Sequence, residues 1–237
     1  MSQYQSYSQW KDWPLNFTCS ESERLYFERE FGGIIAPGRR IFEIGFGNGG
    51  FLSWARSRGA EVYGVEIQSE ILAAAERHGF VVAGTLDELL PHRGIGFDAA
   101  VALDVFEHIP AEDIPQVLSS IENLLKPSGS LTLRVPNGLS PFVRYNQYGD
   151  ATHTNVVTPS KMDQWAFATQ LRVQCVRNEA RVPYGANVAY RFAKHIQFAM
   201  REFVSRAIAA IYGLPVHTLD ANLMIVMKKK DGLEEAD

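Results

Sequence analysis

Arg40-Ile41-Phe42-Glu43-Ile44-Gly45-Phe46-Gly47-Asn48-Gly49-Gly50 is the stretch whose reading decides the fold. Arg40 to Ile44 is a short apolar run of strand length, and the glycines after it permit a tight turn with close backbone approach to a ligand. A helix follows at about Gly49 to Arg58 and stops at Gly59. The alternation then repeats. Glu61 to Glu66 reads as a strand, Ser69 to His78 as a helix closed by Gly79, and Phe80 to Ala83 and Phe97 to Leu103 as strands. Ile114 to Leu125 is a helix stopped by Lys126-Pro127-Ser128-Gly129, and Ser130 to Val135 is a fifth strand ended by Pro136-Asn137-Gly138. Strands alternating with helices of this length mean βαβ units, hence a parallel sheet covered on both faces.

Upstream, Ser20 with Glu23 three residues later forms a capping box for a helix reaching Phe31. Downstream come a helix at about Ser160 to Thr169, a strand from Leu171 to Asn178, a long helix from about Ala186 to Tyr212 and a last strand from Asn222 to Lys229. No repeat or low-complexity linker divides the 237 residues. One domain is therefore expected, with an N-terminal cap (1–37), a cofactor core (38–137) and an acceptor-side elaboration (138–237).

Charged residues make up 21% of the chain and its net charge is -4, which gives no basis for a nucleic-acid partner. Two distant cysteines, Cys19 and Cys175, argue against a disulfide framework. The N-terminus lacks the apolar core of a signal peptide, and no apolar run approaches the roughly 20 residues that span a bilayer. The expected location is cytoplasmic, with contact at a membrane surface left open.

Gly45, Gly47 and Gly50 also satisfy the dinucleotide pattern G-x-G-x-x-G, with Glu66 at the interval of a ribose-binding acid. Glycine spacing alone therefore leaves two cofactor classes open. Glu43, two residues before the first glycine, discriminates. A carboxylate there repels a pyrophosphate and attracts a sulfonium and an α-ammonium, the charges of S-adenosylmethionine.

Glu43-Ile44-Gly45-Phe46-Gly47-Asn48-Gly49-Gly50 resembles the first motif of class I S-adenosylmethionine methyltransferases, and Val62 to Ile67 resembles their second. The segments Phe97 to Ile109 and Leu124 to Leu131 are similar to two later motifs, in the family's order. The resemblance implies a Rossmann-like α/β fold: a seven-stranded, mostly parallel sheet whose last strand is antiparallel, with helices on both faces. It also implies S-adenosyl-L-methionine as cofactor. Gly45, Phe46, Gly47 and Gly49 would then shape the methionine pocket, with Glu43 at the ammonium. Glu66 and Ile67 would hold the ribose side, Thr85 and Leu86 the adenine, and Asp104 and Val105 the wall after strand four. The third segment departs from the commoner Gly-Asp form, since Thr85 follows Gly84 and the acid comes later, as Asp87.

A hydroxyl acceptor needs a base near the carboxyl ends of the strands. His108 is one candidate. Asp150 and His153, in Tyr148-Gly149-Asp150-Ala151-Thr152-His153, are a carboxylate and an imidazole spaced to form a base with its orienting partner; the alternative is a loop in which His153 bonds backbone. No residue set is read as a metal site. The segments Gly149 to His153 and Val157 to Ser160, with Leu219 to Leu223, are similar to a methyltransferase subgroup of polysaccharide and O-antigen biosynthesis. That resemblance implies a sugar or glycan acceptor, for which Tyr4, Tyr7, Trp10, Trp13, Tyr145 and Tyr148 would offer stacking surfaces.

Along the helix 186–212, Phe192, Ile196, Ala199, Phe203 and Ala207 share one face, with Lys194 and Arg201 opposite. A basic amphipathic helix of this kind offers peripheral membrane contact, and a solvated face over a core is the alternative. Three other functions compete: methylation of a small metabolite such as a quinone or natural product, an NAD(P)-dependent oxidoreductase for which Tyr190 and Lys194 give a Tyr-x-x-x-Lys spacing, and a non-catalytic binding module.

Overall fold

The computed structural model describes residues 14–94, 96–184, 187–214 and 219–230. Tyr4, Tyr7, Trp10 and Trp13, and the expected helix start at Ala186, lie outside the described residues. The first helix, α1 (Glu21–Phe31), begins at the anticipated capping box: Ser20 accepts from Glu23 N–H, and the Glu23 carboxylate accepts from Ser20 N–H at 2.8 Å. Then follow β1 (Arg40–Ile44), α2 (Gly50–Ser57), β2 (Glu61–Val65), α3 (Ser69–Arg77), β3 (Val81–Ala83) and β4 (Phe97–Leu103). The rest comprises α4 (Ile114–Leu124), β5 (Leu125–Pro136), α5 (Arg144–Tyr148), α6 (Pro159–Trp165), β6 (Leu171–Arg177), α7 (Val188–Tyr212) and β7 (Asn222–Lys229).

The seven strands form one sheet in the order β3-β2-β1-β4-β5-β7-β6, with β7 antiparallel to both its neighbours and the β1–β5 pairings parallel. Side-chain alternation splits the core between two faces. Phe42, Ala100, Ala102, Leu131 and Ile225 pack on one face with Leu118 and Ile121 of α4. Ile41, Ala99 and Val101 pack on the other with Phe27 and Phe31 of α1 and Phe51 and Trp54 of α2. Small residues along β4 let helices approach it from both sides.

Two departures from the sequence reading have physical causes. β5 starts at Leu125 rather than Ser130, because Leu125 pairs with Phe97 before a register shift. Ser128, at φ 58°, carries the chain round that irregularity. α7 is the expected long helix, but its orientation is inverted relative to a solvated face over a core. Ser205 and Ala209 are its buried residues, while Phe192, Ile196 and Phe203 are exposed.

The chain leaves β1 for β2 and β3 on one side, then returns to place β4 on the other side of β1. The order therefore reverses at the carboxyl ends of β1 and β4, where ligands bind in open α/β sheets.

Candidate active site

At this crevice the turn after β1 comes against Val105, two residues beyond β4. Gly45 has φ +66°, and a Cβ there would sit 2.5 Å from Val105 Cγ2. Its N–H donates to Val65 O at 2.7 Å, which pins the turn to β2. Gly49 has φ +72°, and a Cβ would enter the ring of Phe17, which packs over the turn. Only glycine meets both demands at these two positions.

Glu43 ends up 4% exposed at the mouth of this turn. Burial, and then the nearby Glu66, push its carboxyl well above the ordinary range, opposed by Arg134 and a backbone bond from Leu52. Its Oε2 is buried without a hydrogen-bond partner. Glu66 accepts from the N–H groups of Gly47 (3.3 Å), Ile67 (2.8 Å) and Gln68 (3.2 Å). Burial raises its pKa and those three amides oppose the rise. With about four lone-pair sites, the carboxylate retains capacity for a ligand hydroxyl.

The other expected cofactor residues are placed as follows. Phe46 packs its ring against Gly64 and Phe17, so it reaches the crevice through its backbone. Ile67 is exposed and Leu86 half-buried, while the exposed Thr85 hydroxyl accepts from Glu88 N–H at 3.4 Å. Asp104, in left-handed conformation at φ 58°, pairs bidentately with Arg134 at 3.0 and 2.5 Å. Arg134 also lies 3.7 Å from Glu179 and over the ring of Tyr26. This guanidinium is the principal counter-charge of the carboxylates here, and the sequence reading missed it.

The loop after α5 is tied to the turn after β4. Asn155 Nδ2 donates to Phe106 O at 3.0 Å and Ile109 O at 2.6 Å, and Thr154 N–H donates to Glu107 O at 2.9 Å. These bonds bring His108 and His153 together edge to face, with ring centroids 4.6 Å apart.

Hydrogen bonding differs from the anticipated Asp150–His153 unit. The Asp150 carboxylate accepts from Thr152 N–H at 3.0 Å and from the Thr152 hydroxyl at 2.5 Å. Thr152 in turn contacts His108 Nδ1, through Oγ1 at 3.0 Å and its carbonyl at 3.3 Å. Asp150 thus reaches an imidazole through Thr152, and that imidazole is His108. His153 Nδ1 bonds Gln147 O at 3.0 Å, the backbone alternative. A carbonyl only accepts, so Nδ1 is the donor in both rings, which in a neutral imidazole leaves the lone pair on Nε2.

Glu107, buried beside them, has an unpartnered Oε2. Burial first, then Asp104, raise its pKa well above the usual range. Glu107, His108 and His153 offer ligand atoms within 4.8 Å of one another, a geometry able to hold a divalent ion that the sequence reading did not anticipate. Thr152 and Glu107 were legible only as motif neighbours of the histidines.

A family model described as a methyltransferase domain matches residues 23–176. The chain belongs to this family. A SAM dependent methyltransferase from Archaeoglobus fulgidus shares the fold at TM-score 0.60 and 20% identity, covering 88% of this chain and 94% of that one. The cyclopropane synthase MmaA2 from Mycobacterium tuberculosis does so at TM-score 0.59 and 14% identity, covering 90% and 86%. A ubiquinone biosynthesis O-methyltransferase of Xanthomonas campestris pv. campestris is 27% identical over 184 residues, which is 66% of this chain and 76% of that protein.

The protein is thus a class I S-adenosylmethionine-dependent methyltransferase, and the oxidoreductase and non-catalytic readings fall away. Tyr190 and Lys194, which prompted the former, lie on α7, where Lys194 Nζ bonds Gln197 at 3.2 Å. The methyltransferase has an acid-rich crevice that fits its cofactor. Glu43, Asp104 and Glu107 lie in the field of the half-buried Arg134 guanidinium, with Glu66 beside Glu43, an environment that favours the sulfonium and ammonium charges of the cofactor and opposes a pyrophosphate.

Proposed function

We propose that this methyltransferase O-methylates a phenol- or quinone-type small metabolite, with Glu43, the 45–49 turn and Glu66 holding the cofactor and the 108/153 histidine pair serving the acceptor. The observation that carries the cofactor assignment is the buried, unpartnered Oε2 of Glu43. On this reading Glu43 accepts from the ammonium, Glu66 accepts from the ribose with Ile67 beside it, Thr85 and Leu86 flank the adenine, and Asp104 and Val105 wall the methyl-transfer site. S-adenosylmethionine supplies an electrophilic methyl on sulfur, and transfer is an in-line displacement.

His153 Nε2 would take the acceptor proton while the Gln147 carbonyl holds the ring's tautomer. His108, oriented through Thr152 by Asp150, would steady that charge change. A phenol ionises near pH 10 (roughly the tyrosine value), far more readily than an alcohol, and so suits an imidazole base. The relative's name favours the small-metabolite reading over the sugar or glycan acceptor of the polysaccharide and O-antigen resemblance.

A panel of catechols and hydroquinones against nucleotide sugars, scored for labelled methyl incorporation, tests the acceptor class. Incorporation into phenols is expected, and incorporation into sugars alone would overturn it. The clustering of Glu107, His108 and His153 supports a second reading, in which the three hold a divalent ion that acidifies the hydroxyl. Chelation separates the two: the base reading expects an unchanged rate, the metal reading its loss.

A further inference from the structure

α7 presents its apolar side outward. At about 100° per residue, Ala189, Phe192, Ala193, Ile196, Ala199, Met200, Phe203, Val204, Ala207, Ala210 and Ile211 fill a charge-free sector of roughly 140°. Phe192 is 65% exposed, Phe203 69% and Ile196 51%. The opposite side, with Lys194, Phe198 and Glu202 half-buried and Ser205 and Ala209 buried, faces the body. Arg181 holds it there, donating to Phe198 O at 3.1 Å and pairing with Glu202 at 3.7 Å and Asp220 at 2.6 Å. Toward its N-terminal end the helix stands off α1 across an open groove of about 630 Å³.

The borders of the apolar sector are basic. Arg206 borders one side and Arg201 the other, both exposed, with Arg191 further round toward the α1 groove; the one acidic residue of the helix, Glu202, is paired with Arg206 at 2.9 Å and with Arg181. The chain as a whole carries -4, so this basic margin is local.

We infer that α7 seats the protein on an anionic lipid bilayer, lying in the headgroup plane with its outward face at the acyl boundary. An apolar stripe of this width bordered by arginines matches that interface in both solvation and charge. A second copy of the same face would bring these basic margins against each other without counter-charge. Among the described residues no helix is long and apolar enough to cross a membrane, so the helix lies on the surface and does not span it. The inference does not depend on the identity of the methyl acceptor.

Co-sedimentation with vesicles tests it, using phosphatidylcholine alone and phosphatidylcholine mixed with phosphatidylglycerol. The wild type is expected to pellet with the anionic vesicles, to stay in solution with the neutral ones, and to be released by added salt. The pair Phe192→Ser and Phe203→Ser should weaken partitioning at least about tenfold, and the pair Arg201→Gln and Arg206→Gln about tenfold. An unchanged thermal shift with S-adenosylmethionine would show each variant folded. Equal partitioning of wild type and the phenylalanine variant, or none by either, would overturn the inference. So would a two-chain mass in light scattering that the phenylalanine substitutions reduce to one, which would assign the face to a second copy.

Discussion

Glu43 is buried where an ionised carboxylate is expensive, and the sign of that cost is measurable. Its folded pKa lies above its unfolded value, so the native state holds the proton more tightly. The favourable contribution is complete below about pH 4, the ordinary glutamate range, and is lost as pH rises through the raised native value. The cofactor-free protein should therefore lose stability over that window. Glu43→Gln should flatten the loss and raise the melting temperature near neutral pH, read by scanning calorimetry across pH.

The histidines give a second test at this scale. His153→Ala should lower kcat about 10²-fold or more with the cofactor Kd nearly unchanged. Thr152→Val removes the hydroxyl between Asp150 and His108, and should both lower kcat and displace the pH–rate profile. An unaltered profile would reduce Thr152 to a packing role.

At the scale of elements, sequence patterning located the strands that carry the site. β1, β4 and β7 have the anticipated bounds, because each is an apolar run punctuated by glycine, aspartate or asparagine at its ends. The Glu43 turn was legible for the same reason. The short α5 was not, since five residues carry no period. Arg134 was hidden inside an apolar strand, and its importance arises only when β4, α1 and residue 179 surround it. The Asp150-to-His108 connection was equally hidden, because the two residues stand 42 positions apart in the sequence and the Asn155 bonds draw them together. Asn155→Ala should cost about 1–3 kcal/mol by stranding the Phe106 and Ile109 carbonyls. Turnover should fall with it while cofactor affinity holds. Denaturant titration and steady-state kinetics on one preparation would check both.

Across the whole molecule, a net-negative chain concentrates carboxylates at one crevice and basic residues along one helix. The first arrangement selects a cation, and ligand binding should report it as stability. At a hundredfold excess over Kd, S-adenosylmethionine should stabilise the fold by about 2.7 kcal/mol, whereas NAD(P)H should leave it unmoved. The most direct single measurement is a calorimetric titration of S-adenosylmethionine into the wild type and into Glu43→Gln near neutral pH. Loss of a charge-assisted bond predicts one-to-one binding by the wild type and affinity about ten- to a hundredfold weaker in the variant. Equal affinity in the two proteins would contradict the account of the Glu43 turn as a cation site.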